Sequence, residues 1–167
     1  IVDAFRQLPQ RRLRIIGDGP DRARLEAGHP ANVEFLGRIP DHAVVQELAS
    51  ARAFVFTAEE GFGIAPLEAQ AAGTPVITYG KGGVLETVAG LDADRPTGAF
   101  FAEQTAASLV AAIGQFEASA ARITADSCRA SAARFAPARF RAAMEVVVAS
   151  AMREHGSAGR EHLSGTR

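Results

Sequence analysis

The chain has 167 residues, 47% of them hydrophobic and 22% charged, enough to build one domain with a sizeable core and too short for two ordinary domains. A net charge of -1 offers no general attraction to nucleic acid or to an anionic membrane surface. The single cysteine, Cys128, has no internal disulfide partner and reads as a buried structural thiol in a reducing compartment. No apolar run approaches the roughly 18 to 20 residues that span a bilayer, and no signal segment opens the chain, so a soluble, cytoplasmic protein is expected.

In chain order, Ile1, Val2, Phe5 and Leu8 have helical spacing that begins without a cap. Short apolar runs then predict strands over 13–16, 33–36, 53–57, 76–79 and 99–101. Between and after them, helical patterns fall near 20–27, 41–50, 63–72, 83–89, 105–118, 121–134 and 137–152. Residues 153–167 are polar, Gly/Ser-rich and aperiodic, and read as a disordered tail in which His155 and His162 are solvated, leaving 1–152 as the domain. The alternation predicts an α/β fold, a Rossmann-like parallel sheet with helices on both faces.

In such sheets ligands bind outside the carboxyl ends of the strands. The loops expected there are Gly17-Asp18-Gly19-Pro20, Gly37-Arg38-Ile39-Pro40, Ala58-Glu59-Glu60-Gly61 and Gly80-Lys81-Gly82-Gly83. Glycine at any one of them is ordinary turn chemistry. Glycine in all of them, with charge in several, favours a ligand crevice along one edge.

The most informative stretch runs from Glu60 through Gly61-Phe62-Gly63-Ile64-Ala65-Pro66-Leu67 to Glu68, and on to Gly73-Thr74-Pro75-Val76-Ile77. One carboxylate sits at the end of a buried strand and the other one to two turns inside a helix. Gly61 and Gly63 leave main-chain N–H groups uncovered at the helix start, where partial positive charge collects. That is a cradle for the phosphate and hydroxyl groups of a nucleotide sugar.

This pair of glutamates around Gly-Phe-Gly, running into Glu-Ala-Xaa-Ala-Xaa-Gly-Xaa-Pro-Val-Ile, resembles the donor-binding signature of the retaining group 1 (family 4) glycosyltransferases. The resemblance covers roughly residues 1–150 and implies the C-terminal, donor-binding lobe of a two-domain GT-B enzyme. It assigns Glu68 to the ribose diol and Glu60 to the transferred sugar as the catalytic carboxylate. Main-chain N–H groups of Gly61, Phe62, Gly63 and Ile64 fall near the sugar and distal phosphate. Gly17 belongs to the same donor edge, Arg38 and Ile39 to the base-binding strand end, and Gly82 and Gly83 to the Gly-Gly-Xaa-Xaa-Glu segment beside the donor. Arg38 also reads as an ordinary exposed arginine, and Glu86 as a first-turn helix acid.

Other features of the resemblance look like mannosyltransferases of polysaccharide assembly: Phe62-Gly63-Ile64, Tyr79-Gly80-Lys81-Gly82-Gly83 and Phe101-Ala102-Glu103-Gln104-Thr105. GDP-mannose is the donor they imply, with no cofactor and no metal required. The family's first strand of this lobe, ending in a Gly-Arg segment followed by a lysine, has no counterpart here, and Arg11, Arg12 and Arg14 do not replace it. The chain is accordingly read as a fragment, inactive by itself, whose partners are a nucleoside-diphosphate sugar and a missing N-terminal acceptor domain. Peripheral contact with the inner face of the membrane would run through that domain.

Rival motifs fail on context. Asp92-Ala93-Asp94 has a metal-holding form but lies in a polar loop far along the chain from the glutamates. Gly80-Lys81-Gly82 lacks the spacing of a P-loop, and Gly61-Phe62-Gly63 lacks the third glycine of a dinucleotide fingerprint. His29 and His42 have no second ligand at zinc spacing. Two further functions remain open: a non-catalytic nucleotide-sugar binding module and a GT-B-type sugar-nucleotide epimerase.

Overall fold

The computed structural model describes the backbone of residues 1–164 and the side chains of residues 1–153 and 155. Two units, Ile1–Ala132 and Ala133–Arg167, are each compact. In the first, α1 (Val2–Arg6) leads to β1 (Leu13–Ile16), α2 (Arg22–Glu26), β2 (Val33–Gly37), α3 (Asp41–Ser50) and β3 (Phe54–Phe56). There follow α4 (Ile64–Ala72), β4 (Val76–Tyr79), α5 (Val84–Thr87), β5 (Gly98–Phe101), α6 (Ala106–Ser119) and α7 (Ala125–Ala133).

All strand pairs are parallel, as the alternation requires, but they form two ladders: β1 with β2, and β3-β4-β5 in that order. Residues of both ladders share one core, in which Leu13, Ile15 and Val55 pack against Val33, Ile77, Tyr79, Ala99 and Phe101. A smaller cluster under α3 and α4 gathers Leu48, Ala69, Val76 and Val88. Every residue of β4 is buried, which is why it reads as a continuous apolar run rather than an alternating one.

Side-chain caps explain where two helices start, α6 and α7. Thr105 Oγ1 accepts the Ser108 N–H at 3.2 Å and opens α6. The helix expected over 121–134 is divided into a 3-10 turn, Ala120–Arg122, and α7, because Thr124 Oγ1 accepts the Ser127 N–H at 3.1 Å and restarts the helix. At the end of α4, Gly73 adopts φ +95°, the left-handed cap that glycine tolerates without strain.

The second unit consists chiefly of α8 (Pro137–Ser164), which begins with proline at its first position. Its helical backbone continues into the stretch from 153 that composition reads as a tail, since propagating an established helix adds a hydrogen bond for each residue fixed. Residues 165–167 of that expected tail lie outside the described residues. Among the described residues no helix is long and apolar enough to cross a membrane.

Candidate functional site

The path from β3 into α4 forms the site's main wall. Gly63 holds φ +80°, ψ +74° as the residue capping α4, a left-handed geometry that other residues adopt only with strain, and no side chain caps the helix. Pro66, in the first turn, has no N–H to leave unpaired. The helix start therefore presents main-chain donors and the positive end of its dipole without a competing side-chain acceptor. Glu60, Gly61, Phe62, Ile64 and Glu68 are all exposed, making an open ledge rather than a closed cavity. Phe62 and Ile64 are 46% and 65% exposed, an apolar rim beside the two carboxylates.

The loop after β4 crosses the Glu60 loop at very close range. Glu60 and Gly82 form an isolated parallel bridge, and the Gly83 N–H donates to the Glu60 carbonyl at 2.8 Å. Gly82 lies at φ +75°, and a methyl there would strike the Glu60 carbonyl oxygen. A methyl at Gly83 would lie 2.5 Å from the Phe62 Cα. Real Cβ contacts do not come that close, so both positions admit only glycine while the two loops stay crossed. The structure thus gives Gly82 and Gly83 a purpose that the sequence reading did not, since they hold the Glu60–Phe62 backbone in place.

At the other ladder, the Gly17 N–H donates to the Gly37 carbonyl at 2.8 Å, tying the ends of β1 and β2. Gly37, at φ +65°, is covered by Arg22, whose Nη1 would lie 2.6 Å from an added Cβ. Arg38 beyond it is exposed and Ile39 half-buried. Glu60, Gly61 and Phe62 are therefore brought against Gly82 and Gly83, while Gly17 is brought against the strand end that leads to Arg38 and Ile39. Each group lies at the carboxyl edge of its own ladder.

Several side chains at these edges had no sequence signal or a weak one. Arg22 reads as an ordinary helix residue because it pairs with Glu26 at i+4, Nε to Oε1 2.8 Å, yet it also roofs Gly37. Gln104 donates from Nε2 to the Thr57 carbonyl at 2.8 Å, bringing the loop after β5 onto the end of β3. The strand expected over 99–101 puts this residue in a strand-end loop, within the Phe101-Ala102-Glu103-Gln104-Thr105 segment that the resemblance singles out. Lys81 has its ammonium 5.6 Å from the Tyr79 ring centre, and the Tyr79 phenol, then the Glu59 charge, raise its pKa above the ordinary lysine value.

Asp92 and Asp94 flank a loop pinned by Arg122, which donates to the Leu91 and Ala93 carbonyls at 2.7 and 3.0 Å, consistent with a structural loop. Cys128 is fully buried and free, and burial pushes its thiol up to about 11.

A parallel α/β sheet whose carboxyl edge carries an uncapped helix start, flanked by exposed carboxylates and crossed glycine loops, places this domain among the open α/β folds, in which the loops after the strands form the ligand edge. The sequence profile of the glycosyl transferases group 1 matches residues 1–134, and the chain belongs to that family.

Relatives agree with this. A GDP-mannose-dependent monoacylated alpha-(1-6)-phosphatidylinositol monomannoside mannosyltransferase of Corynebacterium glutamicum is 40% identical over 91 residues, covering 48% of this chain and 24% of that protein. A 2-deoxystreptamine N-acetyl-D-glucosaminyltransferase of Streptomyces fradiae is 35% identical over 92 residues, covering 52% of this chain and 22% of that protein. The chain thus spans about a quarter of the length of these curated relatives. Among solved structures, sucrose-phosphate synthase from Thermosynechococcus elongatus superposes with a TM-score of 0.68 at 27% identity, covering 94% of this chain and 41% of that one.

Proposed function

We propose that this chain is the donor-binding lobe of a larger retaining glycosyltransferase, which moves a hexose from a nucleoside diphosphate to a glycan or lipid-linked acceptor. The observation that carries it is the uncapped start of α4 between Glu60 and Glu68, buttressed by the crossing of the Gly82–Gly83 loop. Glu68, exposed on α4, accepts hydrogen bonds from the ribose diol, a charge-assisted arrangement suited to vicinal hydroxyls. Glu60 meets the transferred sugar. The main chain from Gly61 to Ile64 lies beside the diphosphate, where the helix dipole stabilises charge developing on the leaving group. Gly17, Arg38 and Ile39, on the β1–β2 edge, receive the nucleoside end.

The strand direction also supports the reading. Both β1-β2 and β3-β4-β5 are parallel, so the loops that follow their strands lie at carboxyl edges, where open α/β sheets place their ligands. GDP-mannose is the first donor to test, because the Corynebacterium relative is described as using it. Acceptor binding, and any peripheral contact with the membrane, fall to the part of the enzyme outside this chain.

The test is calorimetric. In the complete enzyme, Glu68→Ala is expected to weaken nucleoside-diphosphate binding by about 1.5 to 3 kcal/mol, as for a hydrogen bond to a charged group. Unchanged affinity in a folded variant would remove Glu68 from the site.

Fixed dipoles and cations can supply the electrostatic stabilisation that a metal gives elsewhere. Transfer by the complete enzyme is therefore expected to survive chelation and to keep the anomeric configuration, both read by NMR of the product. Loss of activity that added metal restores would overturn the first part, and an inverted product the second.

A further inference from the structure

Glu60 and the first turn of α4 are joined beneath the site by two buried side chains, Gln70 at an unspecified position of the Glu-Ala-Xaa-Ala stretch and Thr87 just after the Gly-Gly-Xaa-Xaa-Glu segment. Gln70, two residues beyond Glu68 on α4, is 0% exposed. Its Nε2 donates to the Pro66 carbonyl in the first turn of its own helix at 3.4 Å and to the Thr87 carbonyl of α5 at 3.0 Å. Thr87, also 0% exposed, donates from Oγ1 to the Gly83 carbonyl at 3.3 Å. Gly83 donates its N–H to the Glu60 carbonyl at 2.8 Å. One line of hydrogen bonds thus runs Pro66, Gln70, Thr87, Gly83, Glu60, from the buried Pro66 in the first turn of α4 through the interior to the exposed Glu60.

Stability alone does not account for a glutamine here. Gln70 Oε1 is buried with no hydrogen-bond partner among the described residues, so the side chain carries a desolvation penalty that an apolar residue of similar volume avoids. The amide nitrogen is the part in use, and it joins the helix bearing Glu68 to the segment gripping Glu60.

We propose that Gln70 is a positioning residue, which through Thr87 and Gly83 fixes Glu60 relative to the first turn of α4. The proposal rests on the reading of Glu60 and α4 as the donor site. Ser131 Oγ also donates to the Thr87 carbonyl at 3.1 Å, so that carbonyl keeps a partner when Gln70 is replaced, and α5 stays folded. What loosens is the link from Thr87 to α4, and with it the setting of Glu60 against the helix start.

The experiment uses the complete transferase with Gln70→Met, which keeps volume and helix propensity and removes the donor. Hydrogen exchange followed by mass spectrometry is expected to be roughly tenfold faster in the peptide covering 80–87, with the peptide covering 75–79 unchanged, since only the clamp opens. For catalysis, kcat is expected to fall roughly tenfold or more, because sub-ångström misplacement of reacting groups is costly to rate. Affinity for nucleoside diphosphate should stay within about threefold, because Glu68 remains on an intact α4.

A purely structural Gln70 would lower stability and leave kcat per folded enzyme alone, and that result overturns the proposal. So does unchanged exchange in 80–87. If Gln70→Met fails to fold, Thr87→Val breaks the same line at its next link and must show both effects. Should the wild-type enzyme bind no nucleoside diphosphate while the exchange pattern appears as expected, the donor-site reading fails and the clamp stands.

Discussion

The two ladders are both parallel and both lend an edge to the site, yet they are held together differently. In β3-β4-β5 the central strand is buried throughout, and backbones approach so closely that Gly82, Gly83 and Gly98 have no room for a methyl. In β1–β2 most strand residues are half-buried or exposed, and polar side chains carry the connections. Arg14 joins Glu34 and Glu47 across β2 and α3. The two hydrogens of Asn32 Nδ2 are shared among the carbonyls of Phe5, Leu8 and Arg11, at 3.0, 3.0 and 2.7 Å, closing the turn between α1 and β1. The half that presents Glu60 and Glu68 is thus fixed by steric exclusion, which salt does not weaken. The half that presents Gly17, Arg38 and Ile39 shares the apolar core but adds polar side-chain contacts, of which the Arg14 ion pairs are open to screening by salt.

The largest effect should come from Gly98, at the start of β5. An added Cβ there would strike the Val76 carbonyl oxygen and lie 2.8 Å from Val88 Cγ1, both in the packed interior. Gly98→Ala must therefore separate β4 from β5 or move α5, and a loss of about 3 kcal/mol or more in urea unfolding is expected, at the upper end of overpacking penalties. A loss under about 1 kcal/mol would show that the three-stranded half yields easily and would undo the contrast.

Next comes Cys128, buried beside the Thr97 carbonyl that precedes β5. Burial pushes its thiol up to about 11 from an ordinary 9.0, so the native state holds its proton longer than the unfolded chain does. The associated stability is fully present below about pH 9 and is lost as pH rises toward about 11. That two-unit difference amounts to about 2 to 3 kcal/mol. Cys128→Ala should flatten this part of the pH–stability curve. An equally steep alkaline loss in that variant would assign it to other groups.

The sequence carried the elements because each rests on local chemistry. The runs at 13–16 and 76–79 coincide with β1 and β4, and 41–50 with α3, where Pro40 and Asp41 mark the helix start. The Glu60–Glu68 stretch was legible for the same reason, as a strand end, a glycine loop and a helix in immediate succession. The crossing of the Glu60 and Gly82 loops was not legible, because it joins residues some twenty positions apart through backbone atoms that leave no residue-type signature beyond glycine. Gln70 was hidden for a related reason. On a helix whose other face carries Glu68, a glutamine reads as a surface residue, and only the packing of α5 shows that it is buried. The break into two ladders is a property of strand order, which a list of strands does not contain.

The smallest effect should fall on Arg14, and it sharpens the comparison most directly. Its guanidinium reaches Glu34 at 3.1 Å and Glu47 at 2.5 Å, with the arginine side chain 47% exposed. Exposed pairs of this kind contribute from near zero to about 1 kcal/mol, because water screens the charges and ordering long side chains opposes the gain. Arg14→Met is therefore expected to lower global stability by no more than about 1 kcal/mol at low salt, a difference that shrinks as sodium chloride approaches about 1 M, where the screening length is about 3 Å. Locally it should be more visible, since Arg14 is the side chain that spans β1, β2 and α3. Hydrogen exchange is expected to quicken in 33–37 while 76–79 keeps its protection, because the partners of Arg14, Glu34 and Glu47, both lie outside β4. If protection in 76–79 falls in step with 33–37, the two halves unfold as one unit, and the division between a sterically fixed ledge and an electrostatically held one does not survive.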